Sequence, residues 1–218
     1  QGERSFIYWR DDSAAKKVVE FISPELVKQL SSGDMFFFSG ISLAVIEEQA
    51  RAQFWDIVKQ LKAAGVKIVF DPNYRARLWD NVEQTKAQYH SAFSLADITL
   101  PGVEDLETLY NVQSVEAVID YLAPYNINEI IVKNGPDSVI TKEANTVQSH
   151  SITPVKNVVD TTSAGDAFNG VYLGARLDGR PISEAVKLGA QAAGAVIQQP
   201  GAIAPKDVFQ QAMAKSGL

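Results

Sequence analysis

Short apolar runs alternate with amphipathic segments along most of this chain, and that alternation restricts the possible folds more than any other feature. The runs at 35–38, 66–70 and 129–132 are mostly apolar, and each is followed by a polar or glycine-containing turn. Between them, apolar residues recur at the spacing of one helix face. Continuous apolar strands separated by amphipathic helices indicate a parallel sheet covered by helices on both faces. The sequence therefore predicts an α/β fold.

The same patterns give an expected order of elements. Polar alternation at 138–142 and 146–149 is typical of an antiparallel hairpin at a sheet edge, and the aromatic run at 4–10 suits a further strand. One domain is the economical interpretation, because no repeat or clear linker occurs. We predict strands at 35–38, 66–70, 97–100 and 129–132, and helices at 13–21, 24–30, 43–64, 80–93, 103–110, 114–123, 167–177, 182–198 and 205–214.

Composition and charge exclude several classes of function. The 218 residues carry a formal net charge of −6, which argues against nucleic acid or an anionic membrane as the main partner. The absence of cysteine excludes disulfides, a thiolate nucleophile and a cysteine metal site. No apolar run approaches the roughly 18 residues of a membrane span, and no signal-peptide pattern is present. A start at Gln1 rather than Met suggests an internal position of a longer protein.

The loop from Asp160 to Phe168 is a candidate functional site. Asp160 and Asp166 lie six positions apart, with small, hydroxyl-bearing and glycine residues between them and a helical pattern after them. The first N–H groups of a helix lack internal partners and its dipole is positive there, so this segment is suited to cradle an anion. The alternative is purely structural. Ser163 followed three residues later by Asp166 has the spacing of a capping box.

Polar and glycine residues also follow several predicted strands. They occur at 39–40, 73–75, 101–105 and 133–135. In open α/β sheets, ligands bind outside the carboxyl ends of the strands. These positions therefore favour a binding site at that edge of the sheet.

Other common site signatures are missing. Neither a Walker A pattern nor G-x-G-x-x-G is present, which excludes a P-loop enzyme and weakens a dinucleotide-binding interpretation. His90 and His150 lie in helical and edge-strand contexts. We interpret both histidines as surface residues.

The segment from Asp160, DTTSAGDAFNGVYLGARLDG, resembles the C-terminal signature of the ribokinase-like (phosphofructokinase B-type) sugar kinases, which reads D-T-T-G-A-G-D-x-F. GERSFIYWR, FSGISLA, DPNYRARLW and IVKNGPDS are similar to the branch of that family that acts on the sugar acid 2-dehydro-3-deoxygluconate. The resemblance covers nearly the whole chain but only the C-terminal two-thirds of such an enzyme. The chain departs from the family at Ser163, where glycine is usual, and at 102–105, where the family has Asn-x-x-Glu.

The resemblance implies a three-layer sandwich with a mainly parallel sheet between helices, without the N-terminal strands and most of the lid. It implies one ribokinase-like domain over 1–218, with 1–10 a remnant of a lid strand and 35–218 the nucleotide-binding and catalytic core. ATP and Mg²⁺ are the implied cofactors. The lid is a candidate homodimer interface.

The resemblance also implies roles for individual residues. Asp166 matches the base that takes the proton from the sugar hydroxyl, and the backbone of 163–165 matches an anion hole for the transferring phosphoryl group. No residue is assigned as a metal ligand. The implied substrate-binding residues are Tyr8, Arg10, Ile41, Arg75 and Asp166. The implied nucleotide-binding residues are Asn73, Tyr74, Arg75, Lys133, Asn134, Gly135, Asp137, Ser138, Ser163, Ala164 and Gly165.

The expected function is ATP-dependent phosphorylation of the sugar acid at its 6-hydroxyl, in the cytoplasm. Tyr8, Arg10 and Arg75 favour an acidic substrate, because an arginine fork binds a carboxylate bidentately. One alternative is another kinase of the family, such as a fructokinase or ribokinase. A second alternative is a non-catalytic nucleotide-binding fragment, which the absence of the N-terminal portion favours.

Overall fold

The computed structural model describes residues 13–214, so the predicted lid strand with Tyr8 and Arg10 lies outside the described part. The strands are β1 (Met35–Ser39), β2 (Lys67–Asp71), β3 (Ile98–Thr99), β4 (Glu129–Asn134), β5 (Ser138–Glu143) and β6 (Thr146–Ser151). The α-helices are α1 (Pro24–Leu30), α2 (Gly40–Val45), α3 (Arg51–Ala63), α4 (Val82–Leu95), α5 (Val103–Tyr110), α6 (Val115–Leu122), α7 (Ala164–Leu177), α8 (Ile182–Val196) and α9 (Lys206–Ala214). The 3₁₀ helices are Ala14–Phe21, Glu48–Ala50 and Ala76–Leu78.

The strands form a six-stranded sheet in the order β1-β2-β3-β4-β5-β6. Neighbours from β1 to β4 are parallel. β5 follows β4 after residues 135–137, and β6 follows β5 after residues 144–145. Parallel neighbours need a crossover of a dozen or more residues, so such short connections join antiparallel strands. The predicted parallel strands and the predicted edge hairpin are both confirmed.

The parallel register brings strand ends together at one edge of the sheet. Ser39 at the end of β1 pairs with Asp71 at the end of β2. Gly102, just before α5, forms a parallel bridge with Lys133 of β4. The polar residues that follow separate strands in the sequence therefore lie along a common edge.

Within the described residues, the chain divides into two compact units. Residues 13–134 and 140–148 form the sheet unit, and residues 135–139 and 149–214 form the helical unit. The core of the sheet unit is rich in aromatic side chains that meet edge to face, such as Phe38 on Phe54 and Phe70 on both Tyr89 and Phe93. Edge-to-face pairs add to the apolar burial because the positive edge of one ring meets the negative face of the other.

Helix α7 packs closely on α8 in the helical unit. A Cβ added at Gly189 of α8 would lie 3.0 Å from the ring and the carbonyl oxygen of Phe168 on α7. Phe168 in turn stacks on Tyr172, with 5.8 Å between ring centroids. Glycine at 189 therefore permits the close approach of the two helices.

Several helices begin where the sequence predicts, because a polar side chain caps each first turn. Ser23, Asn81 and Ser114 accept hydrogen bonds from backbone N–H groups of α1, α4 and α6.

Among the described residues, no helix combines the length and the apolar composition that crossing a membrane requires.

The single helix predicted at 43–64 is wrong, because the chain breaks there into α2, a 3₁₀ turn and α3. Ile46 is extended at φ −59° and ψ 130°, which ends α2. The buried Arg51 side chain donates from Nε to the Leu43 carbonyl oxygen at 3.0 Å and stacks over the Trp79 ring at 4.9 Å. The apolar periodicity continues through the break, since Ile46 and Phe54 are both buried. Periodicity alone therefore gave no sign of the interruption.

Gly40 provides a test of how tightly α2 packs against the sheet-unit core. A Cβ at Gly40 would lie 1.9 Å from the Tyr89 hydroxyl oxygen and 2.0 Å from the Pro72 carbonyl oxygen. Tyr89 itself donates to that carbonyl. We expect Gly40→Ala to lower the free energy of unfolding by at least about 2 kcal/mol, measured by urea denaturation.

Gly174→Ala is the matched control, because Gly174 lies inside α7 with nothing within 4 Å of an added Cβ. It should raise stability by up to about 1 kcal/mol through helix propensity. Equal effects of the two substitutions would contradict the steric argument.

Candidate active site

The carboxyl ends of β2 and β4 carry opposite charges in the sheet unit. Asp71 ends β2 and is only 2% exposed. Lys133 on β4 places Nζ 3.5 Å from Asp71 Oδ1. Asp71 is not among the residues that the sequence predicted for the site, although it follows a strand as the others do. The pair supplies a positive and a negative group at the edge where ligands bind in such sheets.

Asp105 joins this cluster from the first turn of α5. Its Oδ2 accepts from the Gly102 N–H at 3.1 Å, and its Oδ1 accepts from the Tyr74 N–H at 2.9 Å. The Arg75 guanidinium lies 3.7 Å from Oδ1. The acidic side chain at 105 therefore caps α5 and fastens the 73–75 turn to it.

Burial raises the pKa of Asp105 to about 6. Desolvation is the largest cause, and the neighbouring Asp71 carboxylate adds to it. The positive charges of Lys133 and Arg75 and the hydrogen bond from Gly102 oppose the rise. The edge thus holds a carboxyl group that titrates near neutral pH.

The predicted residues of the 73–75 turn and of α2 lie near this edge. Asn73 has a left-handed backbone at φ 34°, Tyr74 is buried, and Arg75 leaves about half of its side chain exposed (48%). The Arg75 guanidinium also donates to the Tyr74 carbonyl oxygen at 2.9 Å. Ile41, the predicted wall of the sugar pocket, is half-buried in α2. Arg75 is therefore the predicted contact in this unit that combines positive charge with exposure.

Lys133 and Asn134 end β4 and are half-buried. The predicted positions after them belong to the helical unit, where Gly135 is left-handed at φ 56° and Asp137 is exposed. The Asp137 carbonyl oxygen accepts from the Ile152 N–H at 3.4 Å. Ser138 is half-buried.

The predicted capping box at the start of α7 is wrong. Ser163 is the N-cap residue, but it is left-handed at φ 61° and ψ 13° and makes no side-chain cap hydrogen bond. A capping hydroxyl needs a β-region backbone to reach the N–H groups of the first turn. Ser163 thus has the conformation that glycine adopts most easily, at the position where the family usually has glycine.

A buried carboxylate holds this loop in place. Asp160 is 0% exposed, and its Oδ1 accepts from the Thr162 N–H at 3.0 Å and from the Thr162 hydroxyl at 2.7 Å. Its Oδ2 accepts from the Gly201 N–H at 2.7 Å. The first carboxylate of the motif is therefore structural, and it fixes the loop against the segment that follows α8.

Asp166, the second carboxylate, is exposed in the first turn of α7. It lines a cavity of about 370 Å³ together with Lys206 of α9 and with apolar residues of α7, of α8, of the loop after α8 and of α9. The N–H groups of Gly165 and Asp166 lie in the first turn of α7, where the helix itself provides no hydrogen-bond acceptor for them. An exposed carboxylate beside free backbone donors suits proton acceptance next to a bound anion.

A second cavity of about 640 Å³ lies in the helical unit, between the 150–155 segment and α8. Small apolar residues of α8 line it, together with the side chains of His150, Lys187, Gln191 and Gln198. His150, predicted to be a surface residue, is half-buried there, and burial lowers its pKa. His90 is exposed, as predicted. Segments far apart in the chain form this cavity, so no local sequence pattern predicted it.

Comparison with known proteins identifies the relatives of the chain. The profile of the pfkB family of carbohydrate kinases matches residues 1–208. The 2-dehydro-3-deoxygluconokinase of Escherichia coli (strain K12) is 37% identical over 212 residues, which cover 95% of this chain and 69% of that protein. A fructokinase of Vibrio alginolyticus is 31% identical over 79% of this chain and 54% of that protein.

The crystal structure of a putative ribokinase II from E. coli in complex with ATP and Mg²⁺ superposes with a TM-score of 0.82 at 23% identity. The superposition covers 98% of this chain and 68% of the ribokinase II chain. The predicted ribokinase-like fold is confirmed. The chain thus spans about two-thirds of the length of the two E. coli proteins and about half of that of the fructokinase.

The raised pKa of Asp105 predicts a specific pH dependence of stability. A carboxyl group whose pKa is higher in the folded than in the unfolded protein contributes most to the free energy of unfolding below about pH 4. That contribution is lost as the pH rises through about 6. A shift from 3.8 to about 6 corresponds to roughly 3 kcal/mol at 1.4 kcal/mol per unit. As the pH rises from 4 to 6.5, the free energy of unfolding of the wild type should therefore fall by an amount of that order relative to that of Asp105→Asn. Urea titrations at each pH measure both. Asp56→Asn, whose side chain is 70% exposed, should keep the wild-type pH dependence.

The left-handed backbone of Ser163 predicts a stabilising substitution. Ser163→Gly should raise the free energy of unfolding by about 0.5–1 kcal/mol, because relief of a left-handed strain of about 1–2 kcal/mol exceeds the entropy lost by glycine. Ser91→Gly inside α4 should instead lower it by about 0.5 kcal/mol. Chemical denaturation of both variants measures the difference. A destabilised Ser163→Gly would contradict the strain argument.

Proposed function

The chain belongs to the pfkB family of carbohydrate kinases, and from that premise we propose that the protein phosphorylates 2-dehydro-3-deoxygluconate with ATP, giving the 6-phosphate. The substrate is inferred from the E. coli 2-dehydro-3-deoxygluconokinase, which is similar over nearly the whole chain. Reaction in the cytoplasm and pairing of two copies through the lid strand belong to the same proposal.

The observation that carries the proposal is the exposed Asp166 at the start of α7, beside a cavity and unpaired backbone donors. In the proposed reaction, the substrate hydroxyl oxygen bonds to the γ-phosphorus of ATP while the bond to the β,γ-bridging oxygen breaks and ADP leaves. The hydroxyl proton passes to the Asp166 carboxylate. The backbone of Ser163, Ala164 and Gly165 is the proposed anion hole for the transferring phosphoryl group.

We assign the 640 Å³ cavity of the helical unit to the adenine ring. Its volume lies in the range of small-molecule sites, and its wall combines small apolar residues with a few polar side chains. Gly135, Asp137 and Ser138 of the same unit are proposed nucleotide contacts.

In the sheet unit, Asn73, Tyr74, Lys133 and Asn134 are proposed nucleotide contacts, and Arg75 is a proposed contact of both nucleotide and substrate. The half-exposed Arg75 guanidinium supports this role, since it has the charge and geometry to bind a carboxylate or phosphate. Ile41 is the proposed apolar wall of the sugar site. Tyr8 and Arg10, which lie outside the described residues, remain proposed partners of the substrate carboxylate.

The carboxylates at the sheet edge fit a Mg²⁺ ion that arrives bound to the nucleotide phosphates. Among residues 13–214, no three His, Asp or Glu side chains converge on a potential metal site. Mg²⁺ is usually bound by one or two carboxylates together with substrate phosphates and water. Asp71 and Asp105 are the carboxylates at the sheet edge that would hold it. The ion would neutralise charge on the phosphates.

A fructokinase is the second candidate, because the Vibrio alginolyticus fructokinase is also similar to this chain. A third candidate is a nucleotide-binding protein without turnover. A coupled assay of ADP release by the full-length protein, with 2-dehydro-3-deoxygluconate, fructose and ribose as acceptors, distinguishes the three. We expect the highest kcat/KM with 2-dehydro-3-deoxygluconate. Faster turnover of fructose would refute the assignment of the sugar acid as the substrate.

Asp166→Asn tests the role of the base. We expect kcat to fall by about 10²–10⁴-fold, because general-base assistance is lost, while the Kd for ATP stays within a few-fold of wild type. Asp178→Asn removes the same charge at the other end of α7, where the side chain is exposed, and should leave kcat unchanged. Calorimetry with ATP gives Kd, and the coupled assay gives kcat. Wild-type turnover in Asp166→Asn would refute the assignment.

A further inference from the structure

We propose that Arg51 is a positioning residue for the substrate, because its guanidinium joins the two segments that carry the proposed sugar contacts Ile41 and Arg75. In this role Arg51 touches neither the sugar acid nor the nucleotide. The inference rests on the proposed function, in which Ile41 forms the wall of the sugar site and Arg75 binds the sugar acid.

The first segment is helix α2, which carries Ile41 in its first turn. The Leu43 carbonyl oxygen lies near the C-terminal end of this helix. The N–H of Glu47, which would bond to it if the helix continued, donates to the Lys16 carbonyl oxygen at 3.3 Å instead. Arg51 Nε takes its place and donates to the Leu43 oxygen at 3.0 Å. The helix dipole is negative at that end, so the guanidinium stabilises the end of α2.

The second segment is the turn that carries Arg75 and ends at Trp79. The N–H of Leu78 donates to the Arg75 carbonyl oxygen at 2.9 Å, within a short 3₁₀ helix that leads to Trp79. The guanidinium carbon of Arg51 lies 4.9 Å from the centroid of the Trp79 ring. A cation over an indole face is attracted by the ring quadrupole, more strongly where water is excluded. Arg51 therefore holds the end of this turn, while Asp105 holds its beginning through a backbone N–H.

The burial of Arg51 lowers stability in ways that an apolar side chain would avoid. Arg51 is only 8% exposed, and desolvation lowers its pKa although the Glu48 and Asp80 carboxylates oppose the change. Its Nη1 atom and the indole Nε1 atom of Trp79 are buried without a hydrogen-bond partner among residues 13–214. Buried donors without partners and desolvated charges both reduce the free energy of unfolding. The geometry that the guanidinium holds is therefore the better explanation for its presence.

Lys62 is a structural cation on the same helix, α3. Its Nζ donates to the Leu95 carbonyl oxygen at 2.8 Å and to the Asp97 carboxylate at 2.7 Å. Both partners precede β3 in the chain, so they lie at the amino end of that strand, away from the carboxyl ends that form the proposed site. Lys62 thus matches Arg51 in helix, charge and backbone contact but differs from it in location.

The test measures kcat and KM with 2-dehydro-3-deoxygluconate and the Kd for ATP in the full-length protein. Arg51→Lys keeps the charge but lacks the planar fork that donates and stacks at the same time. We expect KM for the sugar acid to rise about ten-fold or more, because a small misplacement of a binding group is costly. The Kd for ATP should change by less than about three-fold, since most of the proposed nucleotide contacts lie outside these two segments.

Trp79→Phe is the second variant, which weakens the stacking but leaves an aromatic ring and the bond from Arg51 to Leu43 in place. It should raise KM in the same direction. Melting temperatures show whether each variant is folded. Unfolding of both Arg51→Lys and Trp79→Phe would assign the contact to stability alone and would overturn the inference.

A double-mutant cycle with Arg75→Met shows whether Arg51 acts through Arg75. Once Arg75 is removed, its placement relative to α2 no longer matters. In that background Arg51→Lys should therefore lower kcat/KM for the sugar acid by less than about two-fold. Equal losses in the two backgrounds, or wild-type kcat/KM in Arg75→Met alone, would contradict the inference.

Lys62→Met is the matched control, which should lower the melting temperature but leave KM for the sugar acid within about two-fold of wild type. An unchanged KM in folded Arg51→Lys, or an equal rise of KM in Lys62→Met, would overturn the positioning role. Phosphorylation of the sugar acid by the wild type would still support the proposed function in those cases. Failure of the wild type to phosphorylate the sugar acid would overturn both.

Discussion

The buried carboxylate of Asp160 is the interaction on which the arrangement of the helical unit depends. It accepts from the backbone and hydroxyl of Thr162 and from the backbone of Gly201, so it fixes the loop before α7 to the loop after α8. The carboxylate is 0% exposed, and its loss would leave these donors without the charged acceptor that compensates their burial. The start of α7, with Asp166 and its unpaired N–H groups, is held in place by this contact. The two carboxylates of the motif thus differ in role because one is buried and the other exposed.

The sheet unit uses buried charge differently. Burial and the nearby Asp71 carboxylate raise the pKa of Asp105, and the positive charges of Lys133 and Arg75 only partly compensate. The backbone N–H groups that Asp105 accepts from belong to two separate turns, so the carboxyl group connects the end of β2 to the start of α5. A cluster with one carboxyl near its titration point is sensitive to any charge that binds beside it, which suits the proposed binding of phosphates at this edge.

Local patterns predicted most of the secondary structure, because strand and helix periodicities and caps such as Ser23 and Ser114 act within a few residues. The failures occurred where a backbone conformation or a side-chain contact departed from what the local spacing indicates. Arg51 provides a partner for the Leu43 carbonyl across the break between α2 and α3, although the apolar spacing continues through it. Ser163 has the spacing of a capping residue, yet its backbone is left-handed and its side chain makes no cap hydrogen bond. Neither effect depends on periodicity.

The sequence by itself determined the family, the parallel strands and the loop that carries Asp166, since each of these rests on residues close together in the chain. Only the tertiary structure decided the ionisation of Asp105, the structural role of Asp160 and the contacts of Arg51. The Arg51 guanidinium joins α3 to α2 and to the turn that ends at Trp79, and the hydrogen bond from Gly201 to Asp160 joins separate loops. Burial and hydrogen bonding between remote segments set these properties, and no pattern of neighbouring residues encodes them.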